Sequence, residues 1–137
     1  MRSRPIVLLI VAAALLIQNP LLAHHSSAAF DAGKKVILKG TVKEWVYSNP
    51  HCMLLLDVKG QDGQIVQWLA ETQPPASIFP VGYRRDSFKA GDQVTITVEP
   101  FKDGRPYGRI IGAVLADGKV LGPATSAPST SGAAPQP

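Results

Sequence analysis

From residue 36 to residue 121 the chain keeps returning to one pattern. Apolar and polar residues alternate, and turn residues cut the alternation into short runs. A period of two puts successive side chains on opposite faces of a strand, so the chain must build a sheet with a buried face. The first run, residues 36–47, carries Gly40 near its centre, where a glycine marks a bend or bulge. Ser48-Asn49-Pro50 is turn chemistry. In the second run, residues 51–59, Cys52, Leu54, Leu56 and Val58 share one face, and His51, Met53, Leu55 and Asp57 share the other. The aliphatic set belongs in the core, which buries Cys52 and turns His51 outward. Gly60-Gln61-Asp62-Gly63 is a hairpin loop into a third run, residues 64–71, where Val66, Trp68 and Ala70 alternate with Leu69 and Glu71.

Residues 72–91 break the pattern. Pro74 suits a first helical turn, and Ala76-Ser77-Ile78-Phe79 makes a turn or two before Pro80 ends it. A fourth run follows at residues 93–99, with Val94, Ile96 and Val98 on one face. Lys102-Asp103-Gly104 signals a hairpin into a fifth run at residues 107–115, and Asp117-Gly118 turns into a short last strand at residues 119–121. Three strands, a small α insert and two further strands predict an all-β, OB-fold-like five-stranded antiparallel barrel. Another small antiparallel barrel or sandwich fits the same spacing.

The ends differ from this middle. Residues 1–23 predict a signal peptide: Arg2 and Arg4, an uncharged apolar stretch from Ile6 to Ile17, then Gln18-Asn19-Pro20 and a small Ala23 at the cut. The apolar stretch falls short of the roughly 20 residues a spanning helix needs. The expectation is therefore cleavage before His24, no stable membrane anchor afterwards, and a periplasmic or secreted product. Ser26-Ser27-Ala28-Ala29 offers further small residues for the cut. Residues 24–122 are expected to form one domain, and residues 123–137, all Gly, Pro, Ala, Thr, Ser or Gln, a disordered tail.

Of the formal charge of +4, Arg2 and Arg4 supply two, and the other basic residues are scattered among acidic ones. Nucleic acid is not an expected partner. The single cysteine, Cys52, excludes an intramolecular disulfide and leaves burial, ligation or pairing between chains.

Ala23-His24-His25-Ser26, Phe30-Asp31, Gly40-Thr41-Val42 and Asn49-Pro50-His51 occur in that order. Trp68 with Glu71, Arg85-Asp86-Ser87, Lys89, Gly91-Asp92 and Lys102-Asp103-Gly104 follow. The ordered set resembles an uncharacterised family of short exported bacterial proteins carrying a domain of unknown function. The resemblance covers nearly all of residues 23–121 and implies export and a small β-rich domain, but no reaction. Cys52 and Met53 after the Asn-Pro-His triplet depart from the aromatic or aliphatic residue common there, and the low-complexity tail is peculiar to this chain.

All three histidines fall in two short motifs, His24-His25 and His51. An N-terminal His24 would chelate through its amine, of pKa about 8, and its imidazole. Another imidazole completes a nitrogen-rich set that favours Cu(II), and Met53, on the His51 face, supplies a soft thioether for Cu(I). Glu71 is either a ligand or acceptor for a histidine or an ordinary solvated strand end. The expected metal set is thus His24, His25, His51, Met53 and Glu71, with copper favoured. The paired histidines are equally consistent with a flexible polar terminus, and Asn49-Pro50-His51 with a plain turn.

No nucleophile elbow, zinc-protease helix, phosphate loop or Cys-x-x-Cys is present, so the chain is expected not to be an enzyme. The alternative to metal is an OB-type binding module for a saccharide, peptide or envelope protein. Trp45, Tyr47, Trp68, Arg84 and Arg85 are its candidate ligand residues, with Tyr83 and Tyr107 as further aromatics. Trp45 and Tyr47, beside core-facing Val42 and Val46, would otherwise only cover a barrel end.

Overall fold

The computed structural model describes residues 27–123. The signal segment, His24, His25 and all but the first residue of the tail lie outside the described residues. Six strands follow in order: β1 (Val36–Val46), β2 (Cys52–Lys59), β3 (Ile65–Thr72), β4 (Gln93–Pro100), β5 (Tyr107–Val114) and β6 (Val120–Leu121). One short helix, α1 (Pro75–Ile78), continues into a 3-10 turn at Phe79–Val81, and another 3-10 turn lies at Ser27–Ala29. No described helix is long and apolar enough to cross a membrane.

The sheet order is β3-β2-β1-β4-β5-β6, and β3 also pairs with β5, so β1 to β5 close into a barrel. This is the expected barrel class. Its closure differs from a wholly antiparallel one, because β3 and β5 run parallel, with Leu69, Ala70 and Glu71 opposite Tyr107, Gly108 and Arg109. On its other side β5 lies close to β4 at Gly108, where a Cβ would lie 2.9 Å from the Cβ of Val98 and 3.1 Å from the carbonyl oxygen of Glu99.

Cys52, Leu54 and Leu56 of β2 are fully buried, with Val42, Ile96, Val98 and Leu121 around them. Each leucine contributes about 1.5–3 kcal/mol relative to exposure. The alternation on β2 is as expected, with the Cys52 face inward.

The first strand departs from expectation in an instructive way. Gly40 pairs in regular register with Val58 and Val94; its bare Cα lets β1 approach β2, where a Cβ would lie 2.8 Å from the Asp57 carbonyl oxygen. The bulge sits three residues later, between Val42 and Glu44. An extra residue flips the phase of everything beyond it. Trp45 and Tyr47 therefore pack against the core, and Val46, expected inside, is 39% exposed.

The insert between β3 and β4 plugs this end of the barrel. Ile78, Tyr83 and Phe88 are buried, and the Trp45 ring lies edge-on to Phe88 at 4.9 Å. Gly82, at φ 99°, takes the left-handed conformation that ends the 3-10 turn.

Candidate binding site at the His51 corner

The turn after β1 contains the cis Asn49–Pro50 bond and delivers His51 just ahead of β2 rather than within it. Its imidazole is 46% exposed, with Nδ1 3.7 Å from Oε2 of Glu71. That is ion-pair range, longer than a hydrogen bond. Met53 lies directly opposite Glu71 across the β2–β3 ladder. Three of the five residues expected to bind metal, His51, Met53 and Glu71, thus meet at one corner, while His24 and His25 lie outside the described residues. Among the described residues no group of three or more His, Cys, Asp and Glu side chains could hold a metal ion.

Glu71 is neither a free strand end nor fully buried: its side chain is 18% exposed, and Oε2 accepts a hydrogen bond from the Tyr107 hydroxyl. Burial, and then the carboxylate of Glu71, push the Tyr107 phenol well above its ordinary range. Both effects keep the phenol neutral, as a donor to Glu71. Parallel closure brings the two together, because Tyr107 lies opposite Leu69, two residues from Glu71.

The chain ahead of β1 is fastened to the same corner. Phe30 is 5% exposed, and its ring lies edge-on to Phe101 at 5.2 Å. The Lys102 N–H donates to the Ala29 carbonyl at 3.0 Å, and the Asp31 N–H donates to the Pro100 carbonyl at 2.8 Å. Arg109 reaches past Phe30, 5.2 Å from that ring to its guanidinium carbon, and donates from Nε to Oε2 of Glu99 at 2.9 Å. Arg105 covers Phe101 at 4.0 Å.

The residues expected to form a ligand face divide differently. Trp45, Tyr47, Arg84 and Arg85 gather over the plugged barrel end. Trp45 Nε1 donates to the Arg84 carbonyl at 3.0 Å, Arg84 lies 3.6 Å over the Phe79 ring, and Arg85 lies 5.7 Å from the Tyr47 ring. The Tyr47 hydroxyl donates to the Pro75 carbonyl, and the Arg84 guanidinium donates to the carbonyls of Phe79 and Tyr83. Trp68 is apart from them on β3, opposite Leu56 and packed against the core. Tyr83 is buried inside, and Tyr107 belongs to the His51 corner. Sequence reasoning did not place Phe30, Arg105 and Arg109 there, because a strand pairing that periodicity does not encode brings them together.

A protein-family model, that of a family of unknown function (DUF6152), matches residues 12–110, a span that takes in the paired histidines and every residue of this corner. No curated protein and no solved structure matches the chain.

Proposed function

The chain belongs to that family of unknown function, and from this premise we propose that it is an exported, non-enzymatic barrel protein that binds a metal ion, with copper favoured. The ligands are drawn from the amine and imidazole of His24, the His25 imidazole, His51, Glu71 and the Met53 thioether. The carrying observation is the chain of contacts Phe30–Tyr107–Glu71–His51. It fastens the start of the described chain to the corner that holds His51. His25 precedes Phe30 by five positions, and five residues span at most about 17 Å.

Nitrogen-rich, tetragonal coordination suits Cu(II), with Glu71 as an oxygen ligand or as the acceptor that orients His51. Met53 suits the reduced ion. The test is copper titration of the mature chain beginning at His24, of the same chain with one residue added ahead of it, and of His51→Ala. Extension removes the amine-imidazole chelate and leaves every side chain in place. At least about tenfold weaker binding by both variants, a loss of 1.4 kcal/mol, is expected. Equal affinity of the three forms would refute the reading.

A second reading, a binding module for a saccharide, peptide or envelope partner, draws on an open groove beside Asp57 and Lys59 at the other end of β2.

A further inference from the structure

The edge of β3 is covered for only part of its length. β5 pairs with it at Leu69, Ala70 and Glu71, whereas Ile65 to Trp68 have β2 on one side and no strand on the other among the described residues. Two hydrogen bonds fix which way the backbone points. Leu69 donates its N–H to the Pro106 carbonyl, away from β2, and the Gln64 carbonyl accepts from Gly60, back toward β2. Peptide groups alternate along an antiparallel strand, so Ile65 and Gln67 aim their N–H and C=O groups outward, as Leu69 does. Pro106 has no N–H to give, which ends the ladder with β5 before it reaches the Gln67 carbonyl.

Edge strands that stay single are guarded by charge, proline or a bulge. This one has none of the three. Residues 64–70, Gln-Ile-Val-Gln-Trp-Leu-Ala, include no charged residue and no proline. The register with β2 runs without a shift from Lys59 opposite Ile65 to Cys52 opposite Thr72. Ile65 is 58% exposed and Val66 41%. A row of outward donors and acceptors beside apolar side chains is what an added strand recognises.

We propose that the added strand is β3 of a second copy, and that the chain forms a symmetric dimer by antiparallel pairing of its β3 edges. Symmetry and charge select this occupant. With a two-fold axis at Val66, Ile65 of each copy lies opposite Gln67 of the other and exchanges both backbone hydrogen bonds with it. An axis at Ile65 would call on the N–H of Gly63, which already donates to the Gly60 carbonyl, and an axis at Gln67 on that of Leu69, which already donates to Pro106. A charge on the strand would meet its like across such an axis, but here valine meets valine. The same register carries Gly63 of one copy toward Leu69 of the other, where Pro106 already sits. The hairpin turn of each copy, whose only charge is Asp62, thus abuts the other copy's β4–β5 loop, where Lys102 and Arg105 outweigh Asp103.

One short strand pair makes an interface of the small, transient class, below about 1,200 Å². Sedimentation equilibrium of the mature chain, run up to about 1 mM with a chelator present so that no metal bridges the copies, should show a monomer–dimer equilibrium. Amide exchange at Ile65 and Gln67 should slow as concentration rises. Gln67→Pro removes an N–H that points away from β2, a change edge strands tolerate. It should weaken association at least about tenfold and leave the urea denaturation midpoint nearly unchanged, while Gln67→Ala should still dimerise. Val66→Lys, which sets two ammonium groups against each other at the axis, should abolish the dimer. A monomer at every concentration would overturn the proposal and leave the edge to a different chain. A dimer unmoved by both Gln67→Pro and Val66→Lys, or formed without protection of the Ile65 and Gln67 amides, would place the contact on another face and overturn it equally.

Discussion

Phe30 lies against Tyr107, ring centroids 5.9 Å apart and planes 23° from parallel. A residue that precedes the first barrel strand is thereby fixed to the strand that closes the barrel. Phe101 stands edge-on to both rings, 5.2 Å from Phe30 and 5.4 Å from Tyr107. Phe30→Ala should destabilise the protein by about 3 kcal/mol, the cost of deleting a buried aromatic side chain. A urea denaturation midpoint measures this. The same variant should bind copper more weakly, since it frees the segment that carries the histidines; unchanged stability would show that the stack contributes nothing.

Glu71 stands between Tyr107 and His51, so its variants separate two roles. Glu71→Gln retains an acceptor for the Tyr107 hydroxyl and should change stability little, yet should lower copper affinity by removing the charge beside His51. Glu71→Ala strands the hydroxyl and should cost about 1–3 kcal/mol of stability. Copper titration and urea denaturation of both variants distinguish a ligand or orienting role from a purely structural one.

Buried phenols make the fold sensitive to alkali. Burial pushes Tyr83 far above its ordinary range, and burial followed by Glu71 does the same to Tyr107. In the unfolded chain both titrate near pH 10. Below that pH neither state ionises and the stability is intact. Above it the unfolded state loses protons that the folded state keeps, so stability falls as pH rises. For Tyr83, 2% exposed, the slope approaches about 1.4 kcal/mol per pH unit. Tyr83→Phe should flatten the decline in denaturation measured from pH 9 to 11, with a smaller effect from Tyr107→Phe.

Cys52 is fully buried, and burial raises its thiol above the usual range. A bulky disulfide reagent should label it slowly in native protein and fast in denaturant. Cys52→Ser should cost about 1–3 kcal/mol, by placing a hydroxyl in an apolar site. Fast labelling of the folded chain, or a covalent dimer without reductant, would contradict the inward phase of β2.

The close packing of β5 against β4 rests on a glycine. With Val98 Cβ 2.9 Å from where its own Cβ would be, Gly108→Ala should cost about 1–3 kcal/mol through overpacking. The loss should appear in the thermal midpoint.

The alternation in β2 and β4 was legible in the sequence because a strand half-buried on one face has no freedom of phase. Cys52, Leu54 and Leu56, and likewise Val94, Ile96 and Val98, had one way to face a core. The succession of strands along the chain and the small insert followed from turn residues at their fixed places. The outward position of His51 followed from the same phase rule. Where alternation is interrupted the sequence loses its grip. One extra residue at the bulge after Val42 carries Trp45 and Tyr47 inward and Val46 outward, and nothing in the composition of the strand marks it.

The His51 corner belongs to that second class. Met53 and Glu71 meet across neighbouring strands, which a hairpin register nearly determines. Tyr107 reaches Glu71 only because β3 and β5 pair in parallel across a long stretch of chain, and Phe30 joins them from the far side of β1. By itself the sequence determined which residues lie in strands and which faces are apolar, since these are local properties of a two-residue repeat. The tertiary structure alone decided which strand ends touch, because closure depends on bulge, twist and glycine contacts summed over the whole barrel.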